Sequence, residues 1–252
     1  EMPVFGTSEF VIRRGAIKFL AQINKKRIGL VVDSYALSEE NKLAKIQKMI
    51  EDSGSVYEII ADIQREPFIQ DLTEPIRKIK EFQPDCIVAI GGGSVLDTGK
   101  ALAIFYEHPD MTWEDAFKPF QIPPLGKKAT LIAVPTTSGT GSETTFVAVF
   151  TDGKTKQKRL IMSREIIPQY AILDADFVDS LPSEVAAHSG LDALAHAMEA
   201  AVCTASSSMV VSIAMSACLD IFEWLPASVC PDKYSEKKVY ARERMHIAAS
   251  MA

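Results

Sequence analysis

Three stretches of this 252-residue chain concentrate residues that could hold a ligand or react with one. The first is Gly91-Gly92-Gly93-Ser94, between the apolar run Cys86-Ile87-Val88-Ala89-Ile90 and a helical pattern over 94–106. Glycines let a backbone approach a phosphate closely, and the free N–H groups at a helix start favour an anion there. The turn is neither GxGxxG nor a P-loop. Taken alone, it reads equally as a tight strand-to-helix connection. The second stretch is Pro135-Thr136-Thr137-Ser138-Gly139-Thr140-Gly141-Ser142-Glu143, which follows the apolar run over 130–134. Five hydroxyls and two glycines within nine residues form a donor-rich turn, which suits ligand contact better than a plain loop. The third is Asp192 with His196, four apart in a helical pattern and therefore on one face. A carboxylate and an imidazole at that spacing can share a divalent cation, or form an ordinary surface hydrogen bond. His188, eight before His196, reads as a helix-surface histidine or a third candidate.

Asp33 adds to the first stretch. It closes the apolar run over 27–32, where a carboxylate can bond an adenosine ribose and repel a 2′-phosphate. With the glycine turn, this points to a nicotinamide dinucleotide, NAD rather than NADP.

These residues need a scaffold that gathers them at one edge. Apolar runs over 27–33, 56–60, 86–90 and 130–134 read as strands, with helices predicted over 38–53, 72–82 and 94–106. Strands apolar on both faces, alternating with helices, predict an α/β fold: a Rossmann-like, mostly parallel sheet covered on both sides. In such a sheet ligands bind at the carboxyl ends of the strands. From Pro182 onward the pattern is helical, over 185–202, 210–225 and 238–252, with Pro182 in a first turn and Ser180 as a nearby cap. The expected organisation is a dinucleotide-binding α/β domain over 1–180 and an all-helical domain over 181–252. The last helical pattern meets no stop signal before Ala252, so the sequence is expected to continue.

Composition excludes some classes. A net charge of −6 and the lack of a long basic stripe argue against a nucleic-acid surface. No apolar run reaches the length of a membrane span, and residues 1–3 do not start a signal peptide. Cys86, Cys203, Cys218 and Cys230 lie far apart without a CxxC pair, as expected of reduced, buried thiols in a cytoplasmic protein.

Together, Gly91-Gly92-Gly93-Ser94 with Asp97 and Lys100, the stretch from Pro135 to Glu143, and Gly190-Leu191-Asp192 with His196 resemble the iron-containing (group III) alcohol dehydrogenase family. The segments Tyr106-Glu107-His108-Pro109, Leu225-Pro226-Ala227-Ser228 and Ala241-Arg242-Glu243-Arg244-Met245-His246 resemble the alcohol dehydrogenase half of bifunctional aldehyde–alcohol dehydrogenases. The resemblance implies reversible hydride transfer between NAD(H) and a small primary alcohol or aldehyde. It implies that Gly92, Gly93, Ser94 and Asp97 hold the pyrophosphate. Thr136, Thr137 and Thr140, with Lys158 nearby, would meet the phosphate and the nicotinamide-side ribose. Asp192 and His196 would be catalytic, as two ligands of Fe2+ or Zn2+ acting as a Lewis acid. A homodimer or larger homo-oligomer is also implied.

Two departures stand out. The family's metal site uses one Asp and three His, and by position His246 matches a non-ligand, so the remaining ligands are expected beyond Ala252. Glu66-Pro67-Phe68 also stands where the family has an Asn- or Asp-Pro-Thr segment. If the natural chain ended at Ala252, a non-catalytic nucleotide-binding or scaffolding protein would be the better reading. Within the superfamily, a glycerol dehydrogenase-like enzyme is the alternative.

Overall fold

The computed structural model describes residues 8–229 and 238–252. Six strands form one parallel sheet: β1 (Glu9–Ile12), β2 (Arg27–Val32), β3 (Val56–Asp62), β4 (Cys86–Gly91), β5 (Thr130–Pro135) and β8 (Tyr170–Leu173). Their spatial order is β1-β8-β5-β4-β2-β3. Every residue of β4 is buried, as a central parallel strand requires. The remaining strands, β6 (Val147–Thr151) and β7 (Lys158–Met162), pair antiparallel as a separate hairpin.

The helices α1 (Lys42–Asp52), α2 (Thr73–Phe82), α3 (Gly93–Glu107) and the short α4 (Trp113–Ala116) connect these strands. Helix α3 is buried all round from Val95 to Tyr106, lying between the sheet and the hairpin side of the core. After β8 the described chain is helical: α5 (Ser183–Val202), α6 (Ser208–Val229) and α7 (Lys238–Met251). These three pack together through Ala193, Ile221, Met245 and Ala248.

The strand order creates a switch point. From β2 the chain crosses to β3 at the sheet edge, whereas from β4 it crosses the other way to β5. The carboxyl ends of β2 and β4 therefore diverge, leaving the crevice where open α/β sheets take ligands. Asp33 and the glycine turn lie on its two sides, and Asp33 N donates to Ile90 O at 3.3 Å.

Several boundaries differ from expectation. The helix predicted from residue 38 starts at Lys42, because Glu40 and Asn41 take left-handed φ values of 52° and 55°. Ser180 does not cap α5, whose cap position is Pro182, and Ser180 Oγ instead accepts from Lys42 Nζ. Strands β1, β6, β7 and β8 were not anticipated; β1 is a four-residue edge strand whose exposed Glu9 and Phe10 break any apolar alternation. Cys86 and Cys218 are buried, but Cys203 is exposed just past the end of α5, contrary to the expected burial. Cys230 lies outside the described residues. Helix α6 is also long and apolar enough to cross a membrane, against the expectation that no run is. It carries Asp220, bonded to Arg244, and packs against both α5 and α7.

Candidate active site

A cleft of about 780 Å³ opens between the carboxyl edge of the sheet and the helical layer. That is the size range of small-molecule and cofactor sites. One wall carries Gly93, Ser94, Asp97, Thr140 and Lys158, and the opposite wall carries Asp192 and His196. Stretches far apart in sequence are thus brought to one space.

The turn that follows β4 makes the first wall. Gly92 is extended at φ −73°, ψ −176°, and α3 begins at Gly93. The first amides of a helix have no intrahelical acceptor, so this end presents donors and positive potential. A Cβ on Gly93 would lie 2.8 Å from Thr140 Cγ2 and 3.0 Å from its Oγ1. Only glycine leaves this close approach open. The Thr137 side chain lies against Gly92, 3.6 Å from where a Cβ would stand. The hydroxyl-rich segment therefore covers the glycine turn. Thr136 itself is buried, its N–H donating to Gly91 O at 3.0 Å.

Asp97 takes a different place from the other candidates. Its Oδ1 accepts from Ser142 Oγ at 2.6 Å and its Oδ2 from Val149 N at 2.8 Å. Both oxygens are engaged by the protein, so the carboxylate ties α3 to the hydroxyl-rich segment and to β6. One turn on, Lys100 is fully buried and donates to Thr145 O, Thr145 Oγ1 and Val147 O. Burial pushes its ammonium down to about 8, against the opposing pull of Asp97 and Glu143. Burial likewise raises the Asp97 carboxyl above its ordinary range, outweighing Lys100 and the two hydrogen bonds. Glu143, also buried and raised for the same reason, accepts from Ser250 Oγ of α7. The signal for this network was visible as Asp-x-x-Lys in a helix otherwise apolar, yet spacing alone did not show that the pair would be enclosed.

Lys158 opens β7 and faces the cleft largely exposed, 3.6 Å from Glu66 Oε1. Glu66 also accepts from Thr151 Oγ1 at 2.6 Å. The Glu66-Pro67-Phe68 loop therefore docks on the β6–β7 hairpin and sends a carboxylate into the cleft. Asp33 lies apart, at the end of β2 outside this cavity, where its Oδ1 accepts from Ala36 N at 2.9 Å. Thr144 and Thr145, just past the hydroxyl-rich stretch, line the cleft as well.

On the helical wall, Asp192 Oδ1 is 3.8 Å from His196 Nε2, and both side chains are nearly half exposed. They share the cleft-facing side of α5, as four-residue spacing requires. His188 is exposed and does not join them in the cleft. No cluster of three or more His, Cys, Asp or Glu able to hold a metal occurs among the described residues. An oxygen and an imidazole suit Fe2+ or Zn2+ chemically, but they are two ligands of a larger set.

A parallel sheet with a crevice at its switch point, faced by a helical layer bearing an acid–imidazole pair, defines an α/β fold whose ligand cleft lies between sheet and helices. The family model for iron-containing alcohol dehydrogenase matches residues 7–175, and the chain belongs to that family. It is 35% identical over 239 residues to an NADPH-dependent butanol dehydrogenase of Clostridium saccharobutylicum, covering 95% of this chain and 60% of that protein. It is 36% identical over 237 residues to the bifunctional aldehyde-alcohol dehydrogenase AdhE of Escherichia coli, covering 90% of this chain and 26% of that protein. The iron-containing alcohol dehydrogenase structure from Thermococcus thioreducens superposes with a TM-score of 0.88 at 32% identity, covering 98% of this chain and 65% of that one. The chain thus spans less than two thirds of the length of these relatives.

Proposed function

We propose that the full-length protein transfers hydride reversibly between NAD(H) and a small primary alcohol or aldehyde, with a divalent metal, iron or zinc, as Lewis acid. The observation that carries this reading is the single cleft that holds the glycine turn and Thr140 on one wall and Asp192 with His196 on the other. When bound, the metal would polarise the substrate oxygen and the dinucleotide would accept or donate the hydride.

The chain's own residues do the placing. The first turn of α3, with Gly92, Gly93 and Ser94, offers backbone donors to the pyrophosphate. Thr140, with Thr136 and Thr137 behind it, lines the path toward the nicotinamide-side ribose, and Lys158 is a cation available to a phosphate once it leaves Glu66. In this reading Asp97 shapes the cradle rather than touching phosphate, since both its carboxylate oxygens already hold protein donors and a second anion beside it would be repelled. Asp33 sits where a ribose diol would arrive from the crevice. Asp192 and His196 would hold the metal together with ligands from a further part of the protein.

Residues 1–180 form the cofactor half in this reading and 181–252 the start of the metal half. A cytoplasmic homo-oligomer acting on small alcohols is the corresponding whole.

The test is direct. Full-length protein purified with its metal should oxidise NADH with short-chain aldehydes and lose that activity on chelation. Tight NADH binding without turnover across primary alcohols and aldehydes would instead favour a non-catalytic nucleotide-binding protein. Turnover confined to glycerol would move the reading to the glycerol dehydrogenase branch.

A further inference from the structure

We propose that His246 is a positioning residue for the cofactor wall: through Ser138 it fixes the segment that holds Thr137 and Thr140 against the glycine turn. The proposal rests on the dinucleotide reading of the cleft and adds a residue on the opposite layer to it.

His246 lies on α7, only 2% exposed, with Nδ1 3.2 Å from Ser138 Oγ. Its Nε2 is buried with no hydrogen-bond partner among the described residues. Burial holds the imidazole neutral, so it carries one proton. A buried N–H without an acceptor is rarer than a lone pair without a donor. The proton therefore belongs on Nδ1, where it donates to Ser138 Oγ.

The segment needs such a tie. Backbone bonds hold its ends, Thr136 N to Gly91 O at 3.0 Å and Thr144 N to Gly141 O at 2.9 Å. Between them the residues face two ways. Thr137 and Thr140 turn to Gly92 and Gly93, while Ser138 turns to His246. Gly139 is pressed on α5, where a Cβ would stand 2.9 Å from Ser189 O. The bond from Ser250 Oγ to Glu143 makes a second tie from the same helix. Helix α7 thus grips the back of the segment whose front meets the cofactor. Without the Ser138–His246 bond, a buried hydroxyl loses its partner and the segment can turn to regain one, carrying the two threonines with it.

The experiment compares His246→Leu, His246→Asn, Ser138→Ala and the His246→Leu/Ser138→Ala double variant in the full-length protein. Asn places an amide nitrogen the same number of bonds from Cα as Nδ1 and keeps the donor. NADH affinity is read by fluorescence titration, folding by thermal melting and metal by elemental analysis. Leaving a buried polar group unpaired shifts equilibria by about tenfold, so NADH should bind His246→Leu about tenfold more weakly. Metal content should be unchanged, kcat at saturating NADH should stay within about threefold, and His246→Asn should bind nearly as the parent does. The double variant should be no weaker than the worse single one, because both changes remove the same bond. Parent-like NADH binding in a folded His246→Leu, or losses that multiply in the double variant, would overturn the assignment while leaving the dinucleotide reading intact. A parent that binds no NADH would overturn both.

Discussion

Ser142 Oγ donates a 2.6 Å hydrogen bond to Asp97 Oδ1, joining the helix behind the glycine turn to the hydroxyl-rich segment 45 residues later. Asp97 also accepts from Val149 N and stands 3.9 Å from the fully buried Lys100. Removing the carboxylate takes away the nearer of the two counter-charges of the buried Lys100 and leaves only Glu143. Asp97→Ala is therefore expected to cost about 3–5 kcal/mol in urea unfolding, and Ser142→Ala only about 1–2 kcal/mol. A neutral Asp97→Ala would show that Lys100 is satisfied by its three oxygen acceptors alone.

Much of this was legible beforehand because it is written in local patterns. The run from Cys86 to Ile90 is apolar on both faces, and only a central strand buries both. The turn after it had to be glycine, and the four-residue spacing of Asp192 and His196 dictated a shared face. What stayed hidden depends on long-range packing. Asp97 reads as one more polar residue at a helix start until Ser142 and Val149 are folded onto it. His246 looks like any helix histidine until α7 is laid against Ser138. The β6–β7 hairpin escaped because Leu160 and Val147 leave one of its faces partly open to the cleft, which blurs the apolar signal.

Histidine burial gives a pH signature. The His246 imidazole titrates near 4 in the folded protein, against 6.5 ordinarily, because burial disfavours its charged form. Between those two values the unfolded chain binds more protons than the native one, so stability falls as pH drops from 6.5 to 4. The slope from this group is at most about a tenfold change in the folding constant per pH unit. Unfolding of the parent and of His246→Asn should therefore diverge across that window, with the Asn variant flatter. Parallel curves would mean that the imidazole takes up its proton without cost.

At Gly93 a methyl group would stand 2.8 Å from Thr140 Cγ2. Gly93→Ala should push the threonine aside and weaken NADH binding by about 5- to 150-fold, the effect of roughly 1–3 kcal/mol of overpacking. Adding Thr140→Ala removes the struck atoms. Calorimetric titration should then recover part of the affinity, though not all, because the hydroxyl is lost too. Equal weakening with and without Thr140→Ala would place the damage in the α3 start itself.

Metal retention separates the two halves of the site. Asp192 and His196 are nearly half exposed and supply two ligands, whereas tight sites of this type need three or four. The 252-residue chain alone is expected to lose added Fe2+ or Zn2+ on dialysis, and the full-length protein to keep it. In the full-length protein Asp192→Ala and His196→Ala should each lower metal affinity by at least the roughly 10–100-fold that loss of a partner behind a ligand costs. NADH affinity should hardly move, since the glycine turn is on the opposite wall. A stoichiometric metal in the 252-residue chain would refute the division of ligands drawn here.

In the proposed reading, Asp33 decides which dinucleotide fits. Its carboxylate closes β2 at the switch point and is fixed by the bond from Ala36 N at 2.9 Å. A fixed anion there favours a ribose diol and repels a 2′-phosphate. Asp62, at the end of the neighbouring strand, adds a second negative charge, its oxygens held by Ser34 N and Ser34 Oγ. The C. saccharobutylicum relative is named for NADPH, so membership of the family does not by itself choose NAD over NADP. Asp33→Ser should raise kcat/KM for NADPH at least tenfold, because about 1.4 kcal/mol of repulsion is removed, and lower it for NADH by a similar factor as the diol loses its acceptor. A parent that already prefers NADPH would show that the ribose does not meet Asp33, and the crevice between β2 and β4 would then need another occupant.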